Sequence, residues 1–146
     1  MSVLGVGIDV VHVPDFAEQL ATPGTRLLAE AFTAGERADV ADRPGSDRSE
    51  VERLAARYAA KEAFVKAWAG ARFGCPPSLP TWAPREVEVV HDVHGRPALA
   101  LRGEVAQVVR RQLGDGWRAH VSLSHDGPTA AAVVVLDGPD QPGGVE

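Results

Sequence analysis

E-V-E-R-L-A-A-R-Y-A-A-K-E-A-F-V-K-A-W-A, residues Glu50 to Ala69, is the stretch that decides the architecture. It holds neither glycine nor proline, is rich in alanine, and follows Ser49, whose spacing to Glu52 has the form of a helix capping box. It reads as the longest helix of the chain. At about 100° per residue, Leu54, Tyr58, Val65 and Ala69 form one apolar stripe, with Lys61 and Glu62 on its two flanks, where burial begins. Arg57 lies one turn before Lys61 and Lys66 one turn after Glu62. Charges this close to an apolar stripe need a partner or a purpose. Two readings stand: a structural ion network, or a site for an anionic ligand plus a metal.

Working outward, V-L-G-V-G-I-D-V-V at Val3 to Val11 alternates as a strand does. Leu4, Val6, Ile8 and Val10 share one face, the expected core face, while Gly5, Gly7 and Asp9 share a bare face on which a helix or ligand can come close. The plainer reading is a short edge strand entering a turn. A helix over Phe16 to Ala31, broken near Pro23 and Gly24, is followed by a second capping box, Thr33 with Glu36, and by a polar loop from Asp42 to Ser49. After the long helix, a Gly/Pro-rich loop leads to a hairpin, with a strand over Glu86 to Val90, a turn through His94, Gly95, Arg96 and Pro97, and a second strand to Leu101. An amphipathic helix over Gly103 to Leu113 and strands over Ala119 to Ser124 and Ala130 to Leu136 complete the order. The fold class expected is α+β, a mainly antiparallel sheet on one long helix.

The 146 residues suffice for one domain, taken as 1 to 137, with a disordered tail from 138 to 146. A net charge of -5 argues against a nucleic-acid partner. The chain shows neither an export signal nor an apolar run of the roughly 18 residues that a membrane helix needs. With one cysteine, Cys75, a cytoplasmic location is expected. His91 and His94 beside a turn, without cysteines nearby, read as exposed polar residues rather than a zinc site, and Trp68, Trp82 and Trp117 as packing residues.

Three separated blocks, G-V-G-I-D-V at Gly5 to Val10, R-Y-A-A-K-E-A-F-V-K-A at Arg57 to Ala67, and V-S-L-S-H-D at Val121 to Asp126, occur here in order. With F-T-A-G-E at Phe32 to Glu36 and G-R-P-A-L at Gly95 to Leu99, they resemble the holo-acyl-carrier-protein synthase group of the phosphopantetheinyl transferases. The resemblance spans about Val3 to Leu136. It implies a magnesium-dependent enzyme that moves 4'-phosphopantetheine from coenzyme A to a serine of an apo acyl carrier protein or carrier domain, in fatty acid biosynthesis. Asp9 and Glu62 match the family's metal-binding carboxylates. Arg57, Lys61 and Lys66 match phosphate-holding positions, Gly70 is the one glycine left for close phosphate approach, and Ser124, His125 and the turn at Pro97 would lie along the nucleotide part of coenzyme A. Glu62, Lys66 and Asp9 are then the catalytic set, with Glu62 the first candidate for the base that takes the serine proton.

The resemblance also implies a homotrimer with active sites between subunits. Val121, Leu123, Val133 and Val135 show little polar alternation, as suits a sheet covered on both faces, by the long helix and by a neighbour. Two departures from the family pattern stand out: Asp15 occupies the place of an arginine that meets the carrier, and Ala69-Gly70-Ala71 replaces a G-x-G. Two alternatives are a non-catalytic coenzyme A-binding module of the same fold and the two-lobed branch of the superfamily. The second needs about twice this length; retention of Asp9 and Glu62 argues against the first.

Overall fold

Small residues on both partners let the first strand and the long helix approach to backbone contact. In the computed structural model, which describes residues 1–41, 47–79 and 81–140, strand β1 (Ser2–His12) lies against the 21-residue helix α4 (Glu50–Gly70). Before α4 come α1 (Val13–Ala21), α2 (Leu27–Ala31) and α3 (Ala34–Ala41). After it come a 3-10 turn (Pro84–Glu86), β2 (Val87–His91), β3 (Pro97–Leu101), α5 (Gly103–Leu113), β4 (Arg118–Asp126) and β5 (Thr129–Gly138).

A Cβ added to Gly7 would fall 1.8 Å from the Ala63 carbonyl oxygen, and one added to Gly5 would fall 2.0 Å from that of Ala67. Only glycine permits this approach. The consequence corrects the expected strand faces. Gly5 and Gly7 are buried under α4, whereas Val6, Ile8 and Val10 lie on the outward face, 58%, 58% and 61% exposed. Alternation told which residues share a face, but the closest covering element selects the face with the least side chain.

β1, β5 and β4 form an antiparallel sheet in that order, with Ile8 opposite Val133, and Val133 opposite Ser122. Its inner face meets α4 and α5 in a core that includes Ala63, Phe64, Ala67, Val105, Val109, Val134 and Leu136. The hairpin of β2 and β3 forms a separate two-stranded sheet. A smaller cluster of Phe16, Phe32, Val40 and Leu54 holds α1 to α3 against the first half of α4.

Local signals fall where expected. The Ser49–Glu52 box caps α4 with both reciprocal bonds, and Thr33 and Glu36 exchange bonds of 3.0 and 3.1 Å at α3. The break between α1 and α2 falls at residues 22 to 26. Gly138, expected in the tail, is instead the last residue of β5, paired with Ser2, because β1 extends far enough to give it a partner. Most of the polar loop (42–46) and the end of the tail (141–146) lie outside the described residues. Among those described, no helix is long and apolar enough to cross a membrane.

Candidate active site

The two flanks of α4 separate into different environments. On one flank Lys61 and Glu36 are both fully buried, with Lys61 Nζ 2.8 Å from Glu36 Oε1. Lys61 also donates to the carbonyls of Val87 at 2.6 Å and Pro84 at 3.1 Å, and sits over the Phe32 ring. Burial holds its ammonium below the ordinary 10.5, and the Glu36 charge opposes that shift. The other oxygen of Glu36 accepts from the Val89 backbone N–H. One turn earlier, Arg57 is buried and bonded to Asp39, with His91 Nδ1 at 3.2 Å. Expected to hold ligand phosphates, Lys61 and Arg57 thus stand on the closed flank of α4 within the single chain. Both are spent inside the chain, joining α4 to α3 and to the hairpin, and desolvation is already balanced by internal partners.

On the opposite flank the chain opens into a cavity of about 320 Å³, lined by Asp9, His12, Asp15, Gln19, Tyr58 and Glu62 among others. Asp9 reaches it because the bare face of β1 leaves room beside α4, and Glu62 because it stands one residue before the Ala63 contact. Burial pushes the Glu62 carboxyl above the ordinary 4.5, and the nearby Asp9 charge adds to the rise, while a hydrogen bond from Tyr58 opposes it. Burial and the Glu62 charge in turn push the Tyr58 hydroxyl up to about 12. Lys66, one turn on, donates to the Ile8 carbonyl at 2.9 Å and to Asp9 Oδ1 at 3.2 Å. Its side chain is 56% exposed, so its remaining hydrogens can meet a ligand.

Two carboxylates in a shared hollow, with the Asp9 charge helping to raise the Glu62 carboxyl, suit a hard divalent cation, which would relieve the repulsion. No group of three or more histidine, cysteine or acidic side chains placed to hold a metal occurs among the described residues. Magnesium commonly takes one or two carboxylates and completes its shell with water and substrate phosphate, so Asp9 and Glu62 fit that ion.

The other expected residues do not line this cavity within one chain. Gly70 ends α4 on its exposed side, next to Gly5. Pro97 begins β3 opposite His91. Ser124 lies on the outward sheet face, while His125 is half-buried on the helix side with Nε2 3.0 Å from the Glu52 carbonyl oxygen. Sequence reasoning passed over His12, Gln19 and the hydroxyl of Tyr58 as parts of the cavity. The four-residue spacing of Tyr58 to Glu62 was the available signal.

Residues 5–134 match the model of the 4'-phosphopantetheinyl transferase superfamily. A holo-acyl-carrier-protein synthase from a Mycobacterium species, strain KMS, is 50% identical over 139 residues, 95% of this chain and 100% of that protein. The Chronobacterium ammoniagenes ACPS–CoA complex superposes with a TM-score of 0.85 at 42% identity, covering 96% of this chain and 100% of that one. The acyl carrier protein synthase of Mycobacterium tuberculosis gives 0.72 at 42% identity, over 94% and 100%. With a fold shared end to end and two carboxylates and a lysine gathered at one hollow, the chain belongs to the 4'-phosphopantetheinyl transferase superfamily, among the holo-acyl-carrier-protein synthases.

Proposed function

We propose that the chain transfers 4'-phosphopantetheine from coenzyme A to a serine hydroxyl of an apo acyl carrier protein, releasing adenosine 3',5'-bisphosphate. The observation that carries this reading is the convergence of Asp9, Glu62 and Lys66 on one side of α4 and β1. Asp9 and Glu62 would hold magnesium, which when bound offsets the charge on the pyrophosphate oxygens. Lys66, anchored through the Ile8 carbonyl, presents an ammonium to the phosphate that leaves. The serine Oγ–P bond forms as the pyrophosphate P–O bond breaks. Glu62, whose proton affinity is raised by burial, takes the serine proton.

The working unit is a homotrimer whose sites are completed by a neighbour. Support comes from the outward sheet face, where Val6, Ile8 and Val10 stand exposed beside Val133, with no covering layer among the described residues. That face also carries Ser124, which a neighbour can bring to the nucleotide part of coenzyme A, along with Pro97 and His125. The enzyme acts in the cytoplasm, the compartment that suits the exposed free thiol of Cys75.

Intact-mass measurement of an apo carrier protein after incubation with the enzyme, coenzyme A and Mg²⁺ tests the transfer. The carrier gains the mass of one phosphopantetheine; an unchanged carrier mass across free carriers and carrier domains overturns the reading. Light scattering at assay concentration separately tests the trimer, and a fully active monomer refutes it.

A further inference from the structure

Three segments wall the hollow: the end of β1 with Asp9 and His12, the stretch of α4 with Tyr58 and Glu62, and α1 with Asp15, Phe16 and Gln19. The first two carry the carboxylates and Lys66, so α1 is the wall left for the acceptor as its serine reaches Glu62. This wall is fixed in place. Phe16 is buried, with its ring 5.5 Å from that of Tyr58 and 6.3 Å from that of Phe32. Asp15 and Gln19, four residues apart, then share the face of α1 that borders the hollow.

The charge on this wall is one-sided. Val13 to Ala21 holds Asp15 and Glu18 but neither lysine nor arginine, and the next cation along the chain, Arg26, stands 3.5 Å from Glu30. Asp15 Oδ2 lies 3.1 Å from Nδ1 of His12, the last residue of β1, yet the Asp15 side chain is 71% exposed. It is not a third metal ligand, since no three histidine, cysteine or acidic side chains are placed to hold an ion among the described residues. Resting on the transfer reading above, we propose that Asp15, held by His12, is an acceptor-specificity residue. It favours a carrier with a lysine or arginine within one helical turn of the serine over a carrier with a carboxylate there. As the hydroxyl enters, a neighbouring cation pairs with Asp15, whereas a carboxylate meets like charge with no cation between. Exposed charges at a rim act chiefly on the rate of encounter and are screened by salt. An acidic side chain in a first turn also suits the helix dipole. That role alone would alter stability and leave the ranking of acceptors unchanged.

The test uses an apo acyl carrier protein in two forms that differ at one exposed position within a turn of the serine, lysine in one and glutamate in the other. Intact-mass kinetics give kcat and KM for each with the parent, Asp15→Asn and Asp15→Arg. The parent should favour the lysine form in kcat/KM by about fivefold at low salt, the upper range for one exposed charge pair. The preference should vanish in Asp15→Asn, reverse in Asp15→Arg, and fade for the parent in about 0.5 M salt. At saturating acceptor, kcat and the Mg²⁺ requirement should match the parent. Should Asp15→Arg fail to fold, the parent and Asp15→Asn decide the matter. Equal use of both forms by the parent, a ranking that Asp15→Asn preserves, or a raised Mg²⁺ requirement with the ranking intact overturns the role and leaves the transfer reading standing. If the parent modifies neither form nor any other apo carrier, the transfer reading falls and this role with it.

Discussion

Lys61 and Glu62 are neighbours in sequence and share a helix, yet one is sealed in the core and the other faces an open hollow. The buried flank closes its charges on one another: Lys61 with Glu36, Arg57 with Asp39. The open flank does the reverse, holding the carboxylates of Asp9 and Glu62 near each other with the exposed Lys66 amine alongside. A charge that has all its partners inside the chain supports the fold, and one left facing an opening is available for chemistry.

The largest effect that can break this comparison is on the buried side. Replacing Lys61 by alanine strands the Glu36 carboxylate at zero exposure. Losing one partner of a buried pair typically costs about 3–5 kcal/mol, so chemical denaturation should show most of the stability gone. The double change Lys61→Met with Glu36→Gln should be markedly less damaging than Lys61→Ala, because no uncompensated charge remains. A Lys61→Ala protein of parental stability would show that the buried flank is dispensable to the fold.

On the open side the effect moves from folding to turnover. Glu62→Gln should lower transfer by at least about a hundredfold, the usual minimum for loss of a general base. Stability at pH 7 should not fall by more than about 1 kcal/mol, because burial and the Asp9 charge already disfavour the ionised carboxyl. Steady-state transfer and urea unfolding of the same preparation give both numbers. A variant that unfolds readily yet turns over normally would reverse the assignment of the two flanks.

Gly7→Ala sharpens the comparison by striking beneath both flanks. Its Cβ would meet the Ala63 carbonyl oxygen at 1.8 Å, so α4 and β1 must separate. Overpacking of this sort costs about 1–3 kcal/mol or more. Here stability and transfer should fall together, unlike either previous variant, and thermal melting paired with the transfer assay separates the cases.

The smallest effect is a pH dependence at the edge of the buried network. Glu88 accepts from the Thr33 hydroxyl at 2.6 Å and from Arg102 at 2.9 Å, and these bonds hold its carboxyl below the ordinary 4.5. A carboxyl lowered in the folded state adds stability that is complete above about pH 4.5 and is lost as pH falls through the folded value. Glu88→Gln should lower stability at pH 7 by about 1 kcal/mol and flatten the acid limb of the profile. Urea midpoints for both proteins between pH 7 and pH 3 measure it.

Much of this was legible from sequence because the signals are local. Both capping boxes, the hairpin, the extent of α4 and the carboxylate at the end of a glycine-cleared strand depend on residues a few positions apart. The faces of β1 were misread because the pattern of Val6, Ile8 and Val10 says which side chains stand together, while the element that covers them is distant in the chain. Arg57 and Lys61 were grouped with Lys66 for a similar reason. Helical spacing places all three on neighbouring surface, but what removes Lys61 from that surface is Glu36 and the backbone of Val87, each about 25 positions away. Tyr58 reads as part of an apolar stripe because its ring packs with Phe16 and Phe32, yet the same residue lines the cavity.

The seating of Gly5 and Gly7 on the carbonyls of Ala67 and Ala63 also bears on how such a protein can diverge. Asp9 is two residues beyond Gly7, and Glu62 is one before Ala63, so main chain in direct contact sets the distance between the carboxylates. Side-chain drift elsewhere has little leverage on a spacing fixed in that way. Residues on α1, Asp15 among them, can therefore change without altering that spacing. The two missing side chains make the separation of the carboxylates a property of the backbone.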